Sequence, residues 1–285
     1  MSAPVSSPAA GTERAIARLV RGMPASDGAG VRLTRVIGQP ALSELDPFLL
    51  LDEFRSDNPG DYIAGFPDHP HRGFETVTYL IAGRMRHADN KGHAGLLGPG
   101  SVQWMTAGRG IVHSEMPEQE NGLLQGFQLW VNLPARSKMA EPRYQEIAAA
   151  GIPDVAVAGG ISARVIAGTF GGARGPIDAA ATEPLYLDLA IPQGSAVRVP
   201  VPASHSAFAY VFEGAADIGG TSVPKSALAV LGPGDGVTIQ ASAAARLLLV
   251  AGKPLGEPVA RYGPFVMTSE AEIHQAIRDF QSGRF

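Results

Sequence analysis

Four side chains that could bind a metal ion stand in two pairs, each with one residue between its members. The first pair is His69 and His71, and the second is His113 and Glu115. On an extended strand, residues i and i+2 point to the same face, so each pair can aim two ligands into one cavity. Two such strands facing each other inside a barrel predict three imidazoles and one carboxylate around one ion.

That set of donor atoms indicates which metals fit and what chemistry follows. Imidazole and carboxylate together suit Fe, Zn, Ni, Cu or Mn, and the residues alone leave this choice open. Four protein ligands on an octahedral ion leave two adjacent positions for water, substrate or dioxygen. The spacing therefore predicts a divalent metal site first and catalysis at that metal second.

Each pair alone is a weak signal, since His69 and His71 could be ordinary polar residues of a bend at Pro70. The two pairs together, in one of two similar β units, favour the metal site. Glu75 is a candidate for a further acidic group in the same cavity. The alternative for Glu75 is an outward position, which follows if Gly73 carries a bulge that shifts the strand alternation.

The other histidines are interpreted as peripheral. His87 and His93 lie in a predicted hairpin loop, and we expect them to be exposed or outside the inner ligand set. For His205 a hydrogen-bonded surface position is favoured over a position beside a vestigial cavity, because one imidazole cannot hold an ion without partners. Arg72 is equally compatible with a surface turn and with orienting a carboxylate near the site.

Two segments repeat a pattern that is typical of a duplicated β domain. Each has an apolar strand containing Tyr79 or Tyr210, a Gly turn, and then a Gly-Pro-Gly turn that opens another strand. The second copy lacks both ligand pairs, so we expect it to bind no metal. The predicted division is a disordered tail, a metal-binding domain, a linker with peripheral strands, and a metal-free domain, over residues 1–13, 14–141, 142–183 and 184–285.

Helix signals are confined to the C-terminus, so the predicted fold is all-β with one short terminal helix. Ser269 and Glu272 form a capping-box pattern. Ile273, Ile277 and Phe280 follow at helical spacing and predict an apolar stripe that packs against a barrel. His274 falls off this stripe and is expected to face solvent.

Composition excludes several classes of function. The chain has 285 residues with 35 Gly and 23 Pro, as expected of a turn-rich β protein. Its net charge of −4, without a Lys or Arg cluster, argues against direct nucleic-acid binding. The absence of Cys excludes disulfides, thiolate ligands and Cys nucleophiles. No secretory signal or membrane-spanning apolar run is found, so we expect a soluble, cytoplasmic protein without a membrane partner.

The longest motifs resemble those of the pirin family. The segments that carry the likeness are 69–80 (HPHRGFETVTYL), 103–117 (QWMTAGRGIVHSEMP), 46–54 (DPFLLLDEF), 129–134 (LWVNLP) and 262–267 (YGPFVM). The resemblance extends over nearly everything after the first dozen residues. It implies a bicupin, that is, two tandem jelly-roll (cupin) β-barrels with a metal in the N-terminal barrel only.

The resemblance also implies ligands and an activity. The three histidines and one glutamate that bind the family's metal map onto His69, His71, His113 and Glu115, and none is substituted. The implied cofactor is iron, with Fe(II) as the leading expectation. Some pirins resemble quercetin 2,3-dioxygenases, which open the ring of a flavonol with O2 and release CO. In that reaction Glu115 is the expected catalytic base, accepting the proton of the substrate hydroxyl.

The resemblance leaves a second class of function open. Eukaryotic pirins are described as redox-sensitive transcription cofactors. The alternative is therefore an iron-dependent regulatory protein that acts through a protein partner, since the sequence offers no basic surface for DNA itself.

Overall fold

The structure, a computed structural model, describes residues 11–119, 121–179 and 181–285. Most of the tail predicted to be disordered lies outside these residues. Within them the chain forms 26 β-strands, one α-helix and three short 3-10 helices. None of the helices in the described part is long and apolar enough to cross a membrane.

The first half of the chain contributes β1 (Ile16–Arg21), β2 (Met23–Asp27), β3 (Val31–Ile37), β4 (Phe48–Ser56), β5 (Phe66–His71), β6 (Phe74–Ala82), β7 (Met85–Asp89), β8 (Ala94–Leu97), β9 (Val102–Thr106), β10 (Ile111–Pro117), β11 (Leu124–Asn132) and β12 (Arg143–Ile147). The 3-10 helices are Pro59–Asp61, Ala135–Ser137 and Ala149–Gly151.

The second half contributes β13 (Asp154–Val157), β14 (Ile161–Ala167), β15 (Thr169–Phe170), β16 (Ala173–Arg174), β17 (Leu185–Ile191), β18 (Ala196–Pro200), β19 (Ser206–Glu213), β20 (Ala215–Ile218), β21 (Thr221–Pro224), β22 (Ala227–Leu231), β23 (Gly236–Gln240), β24 (Ala245–Gly252), β25 (Ala260–Tyr262), β26 (Phe265–Met267) and helix α1 (Glu270–Gln281).

Each barrel consists of one seven-stranded and one four-stranded antiparallel sheet. In the first barrel the strand orders are β12-β9-β6-β11-β4-β3-β2 and β5-β10-β7-β8. In the second they are β1-β22-β19-β24-β17-β14-β13 and β18-β23-β20-β21. The two sets of sheets correspond strand for strand, which confirms the predicted duplication and the all-β, two-barrel fold.

The first strand of the chain belongs to the sheet of the second barrel. β1 pairs with β22 at the edge of that sheet, although it precedes the first barrel in sequence. Just before it, the buried guanidinium of Arg14 donates hydrogen bonds to the carbonyl oxygens of Gly232, Pro202 and His205. The predicted domain boundaries stay a prediction, and this pairing shows that the chain crosses between the barrels at its start.

The two seven-stranded sheets pack against each other and form a shared core. Strand alternation gives each sheet an inner face toward its own barrel and an outer face toward the other barrel. Aromatic rings from both outer faces meet there, with centroids 5.0 Å apart for Phe127 and Phe212 and 5.2 Å apart for Phe48 and Phe208. Because these side chains are fully buried, the barrels form one continuous hydrophobic unit.

Two buried tyrosines make reciprocal hydrogen bonds across this interface. The hydroxyl of Tyr79, in the first barrel, donates to Asp188 of the second at 2.6 Å. The hydroxyl of Tyr210, the repeat counterpart of Tyr79, donates to Glu53 of the first at 2.6 Å. Asp188 also binds Arg246 through two hydrogen bonds. Among the residues that the structure describes, Glu53 receives one further hydrogen bond, from the side chain of Gln125.

The C-terminal segment returns to the first barrel. Ser269 caps α1 by accepting from the amide of Glu272, as predicted. The buried side chains of Ile273 and Ala276 pack α1 against the β25–β26 hairpin, which lies beside β5. The buried ammonium of Lys138 donates to backbone oxygens on both sides of this junction. The segment that follows the second barrel, with β25, β26 and α1, therefore packs against the first barrel at the end where β5 lies.

We expect Tyr210→Phe to destabilise the protein more than Tyr79→Phe. Without Tyr210, the buried carboxylate of Glu53 keeps one amide donor and no ion pair within the described part of the chain, so the loss is about 2–3 kcal/mol. Asp188 keeps Arg246, so Tyr79→Phe costs only about 1 kcal/mol. Urea denaturation of both variants measures the difference.

The pH dependence provides an independent check on the same pair. Burial raises the pKa of Glu53. At pH values between the pKa of Glu53 in the unfolded chain and its higher pKa in the folded protein, the folded protein therefore binds more protons. The contribution of Glu53 to the free energy of unfolding falls as the pH rises through this interval. The Tyr210→Phe penalty should be smaller at pH 5 than at pH 8. Equal penalties for the two variants at both pH values contradict this account.

Candidate metal centre

The pairing of β5 with β10 brings the histidines together. The antiparallel register places His69 directly opposite His113, and His71 opposite Ile111. Directly opposed residues share a face of the sheet, so the imidazoles of the two strands meet on one side. Pro70 is compatible with this ladder because β5 is the edge strand of its sheet, where a missing N–H is tolerated.

The three imidazoles form a compact cluster of nitrogen atoms. One ring nitrogen of each of His69, His71 and His113 lies within 4.8 Å of the other two. Both ring nitrogens of His113 and Nδ1 of His71 are buried and have no hydrogen-bond partner among the described residues. Nδ1 of His69 lies 2.8 Å from the carbonyl oxygen of Pro67, which leaves Nε2 available. Buried nitrogens without partners are costly, and a divalent metal ion is the partner that suits them.

Burial keeps the inner two imidazoles in the neutral form that metal binding requires. Burial, followed by the neighbouring His113 and His69, lowers the pKa of His71 well below its ordinary value. Burial also lowers the pKa of His113 to about 4, against the opposing effect of the Glu115 carboxylate. A neutral imidazole offers a free lone pair, so these side chains are ready to coordinate without first losing a proton.

Glu115 lines the same cavity but lies outside the imidazole cluster. The β5–β10 register shifts between His113 and Glu115, which changes how the second residue sits against β5. One oxygen of the buried carboxylate accepts from the hydroxyl of Thr78 at 2.7 Å. The other accepts from the amide of Gln128 at 3.0 Å. Coordination by Glu115 stays a prediction, and these bonds show what holds its carboxylate in place.

A cavity of about 590 Å³ opens over the cluster, bounded by His69, His71, Glu115, Gln128 and Trp130 among others. Its walls also carry large apolar side chains from neighbouring strands, namely Leu33, Leu50, Phe54 and Phe66. Such a mixture of apolar walls and a few converging polar groups is typical of small-molecule sites. The volume is enough for a fused aromatic molecule.

Arg72 links β5, the strand that carries His69 and His71, to the C-terminal segment. The surface position considered for Arg72 is wrong, because the side chain is buried. Its guanidinium donates to Asp279 of α1 at 2.8 Å and lies 4.3 Å from the ring centre of Phe285. At the next residue, Gly73, φ is +89° and a Cβ would lie 2.0 Å from the carbonyl oxygen of Val266. Only glycine fits that approach, so this turn positions His71 beside the β25–β26 hairpin.

The predicted positions of Glu75 and His87 need correction or refinement. Glu75 does not face the cavity: its buried carboxylate accepts from Thr106, because strand alternation places it on the face of β6 that carries Val77. His87 is buried and lies 2.6 Å from a carboxylate oxygen of Glu146, outside the imidazole cluster.

The surface position favoured for His205 is also wrong. His205 is 6% exposed and lines a separate pocket of the second barrel, and its backbone carbonyl accepts a hydrogen bond from Arg14. By contrast, the side chain of His93 is 61% exposed and pairs with Asp89, as expected for a loop histidine. The helix residue His274 is exposed, also as predicted.

The corresponding strands of the second barrel carry aliphatic side chains instead of ligands. β18 and β23, which match β5 and β10, bury Val197, Val199, Val237 and Ile239. These side chains belong to the closed apolar core of that barrel. The same architecture therefore forms a polar cavity in one copy and a filled interior in the other.

Sequence reasoning did not identify Thr78, Gln128 and Arg261 as parts of the site. Thr78 and Gln128 lie on strands that carry several other polar residues, so the residue types alone gave no signal that singled them out. Arg261 lies about 190 residues beyond His71, which no local spacing rule connects.

Comparisons with known proteins agree with this architecture. The family model Pirin matches residues 30–131, and the Pirin C-terminal cupin domain matches residues 186–285. A pirin-like protein of Caulobacter vibrioides is 52% identical, with 95% of this chain and 99% of that protein covered. Human pirin is 45% identical over 91% of this chain and 89% of its own length. The crystal structure of a quercetin 2,3-dioxygenase from Acinetobacter baumannii superposes with a TM-score of 0.89 at 35% identity. The superposition covers 96% of this chain and 98% of that one.

We expect the double variant His71→Ala/His113→Ala to lose stoichiometric metal. The affinity for the metal ion should fall by far more than the roughly 10- to 100-fold seen when only a residue hydrogen-bonded to a metal ligand is removed. Metal content after dialysis and reloading with Fe(II), measured by mass spectrometry, tests this. His205→Ala is the matched control and should bind metal as the wild type does. Metal retained by the double variant, or lost in the control, contradicts the site.

Proposed function

Since this chain belongs to the pirin family, we propose that it is a metal-dependent dioxygenase resembling quercetin 2,3-dioxygenase. Its proposed reaction opens a flavonol-like aromatic ring with O2 and releases CO. The single observation that carries the proposal is the arrangement of three clustered imidazoles and a hydrogen-bonded carboxylate around one aromatic-sized cavity. The likeness to the Acinetobacter enzyme supports the choice of reaction.

In this proposal His69, His71 and His113 hold the metal, and Glu115 is the fourth ligand. Fe(II) is the proposed ion, with Zn, Ni, Cu and Mn as the other metals that suit the donor set. A metal bound by these residues would supply Lewis-acid chemistry, which favours loss of the proton from the substrate hydroxyl. The β5–β10 ladder holds the strands that carry these imidazoles, and Trp130 packs edge-on against His71.

Glu115 is the proposed base. A carboxylate that accepts two hydrogen bonds is oriented before substrate arrives, so little reorganisation is needed when it takes a proton. Thr78 and Gln128 supply those bonds from adjacent strands, and Gln128 also donates to the Thr78 hydroxyl at 3.3 Å. These two side chains are therefore positioning residues, which direct the Glu115 oxygens into the cavity.

The cavity walls account for binding of an aromatic substrate. Trp130 stands edge-on to His71, with ring centres 5.3 Å apart, and presents an aromatic surface close to the cluster. Phe54 and Phe66 line the same space. A flat aromatic molecule bound there displaces water from the reacting groups, which strengthens the electrostatic effect of the site.

We expect Glu115→Gln to retain bound metal while lowering kcat by about a hundredfold or more, the usual range for loss of a general base. Glutamine keeps the shape and one acceptor oxygen but cannot take the proton. The assay follows flavonol absorbance and CO release with iron-loaded protein, quercetin and O2. Glu118→Gln, a nearby surface glutamate paired with Arg86, is the control and should keep wild-type activity.

Two results would count against the proposal. Full activity of Glu115→Gln refutes the role of Glu115 as base. No turnover by the iron-loaded wild type across a panel of flavonoids refutes the dioxygenase itself. In that case, capture of a protein partner that depends on bound iron would favour the regulatory alternative.

A further inference from the structure

The cavity receives one cation from outside the first barrel. Arg261 belongs to β25, in the segment that follows the second barrel, and lines the cavity together with Gly263 and Pro264 of the same hairpin. Its guanidinium lies 4.8 Å from the centre of the Trp130 ring. The residue is solvent-exposed and so stands at the opening of the cavity.

The two arginines of the cavity differ in how they are neutralised. Arg35 donates two hydrogen bonds to Asp52, at 3.0 and 2.7 Å, and a third to Asp27 at 2.8 Å. Arg261 forms no ion pair with a carboxylate in the described part of the chain, and its one hydrogen bond goes to the carbonyl oxygen of Leu49 at 3.2 Å. An arginine has five N–H donors, so most of those on Arg261 are free for a ligand.

The charge of the whole lining permits an anionic ligand once the metal is present. Four carboxylates and two guanidiniums line the cavity, namely Asp27, Asp52, Asp68, Glu115, Arg35 and Arg261. A divalent ion held by the imidazoles brings this lining close to neutrality. An anion placed at Arg261 then meets an unpaired cation without a net repulsive field around it.

We propose that Arg261 is a specificity-determining residue and that the substrate carries an anionic oxygen group, such as a carboxylate or an ionised phenol, on its aromatic ring. Guanidinium binds such groups through paired, charge-assisted hydrogen bonds. The ring of the substrate lies in the cavity while its anionic substituent meets Arg261 at the opening. This inference rests on the proposed function for the aromatic nature of the substrate.

The test compares two ligands of nearly the same shape, one with a carboxylate and the other with a neutral amide in its place. Iron-loaded protein is titrated without O2 by calorimetry with 4-hydroxybenzoate and with 4-hydroxybenzamide. The wild type should bind the acid about tenfold more tightly than the amide, as expected of one charge-assisted contact. In Arg261→Gln this preference should disappear, with the amide affinity unchanged within about twofold. Arg261→Lys should keep part of the preference, because it retains the charge without the planar donor pair.

Controls separate a binding role from a structural one. Metal content and melting temperature should be the same in Arg261→Gln and the wild type. Arg198→Gln, an exposed arginine of the second barrel paired with Glu13 and Asp235, should behave as the wild type does. Equal binding of acid and amide by the wild type overturns the inference. A preference that survives in Arg261→Gln also overturns it, because the anion is then bound elsewhere, for example at the metal.

The readout keeps this inference separate from the proposed reaction. Binding is measured without O2 and needs no turnover. A protein that binds the acid through Arg261 but cleaves no flavonoid would refute the dioxygenase and leave the anion site intact. A protein that turns over flavonols but binds the acid and the amide equally would support the dioxygenase and refute the anion site at Arg261.

Discussion

The antiparallel register of β5 and β10 is the constraint on which the site depends. It sets His69 opposite His113 and places His71 on the same face, so the imidazoles of two separate strands meet. A slip of one residue would turn every side chain of a strand to the opposite face. The ligand cluster is thus a property of strand pairing, and the sheets that hold the pairing support the chemistry.

Both ends of the chain reinforce that arrangement by crossing between barrels. β1 completes the sheet of the second barrel, while β25, β26 and α1 pack against the first, where Arg72 meets Asp279. The shared aromatic core and the two tyrosine–carboxylate bonds join the barrels further. The second barrel, filled by aliphatic side chains, therefore packs along the first barrel, and the segment that follows it supplies part of the cavity opening.

Much of the fold and the ligand cluster could be predicted because the signals are local. Residues two apart share a face of a strand, Gly-Pro-Gly marks a turn, and Ser269 with Glu272 marks a helix start. Glu75 shows where such reasoning fails. The turn at Gly73 resets the alternation, so counting along the strand assigned it to the wrong face. The position of His205 could not be predicted from its own segment either, since its backbone carbonyl accepts a hydrogen bond from Arg14, about 190 residues earlier.

The sequence by itself determined the duplicated β architecture, the family resemblance and the three imidazoles, because each depends on patterns within one short segment. Only the tertiary structure decided which groups surround those imidazoles. Thr78 and Gln128 reach Glu115 from neighbouring strands, and Arg261 reaches the cavity from the far end of the chain. Contacts between segments so distant in sequence follow from how the barrels pack, and no spacing rule along one strand contains that information.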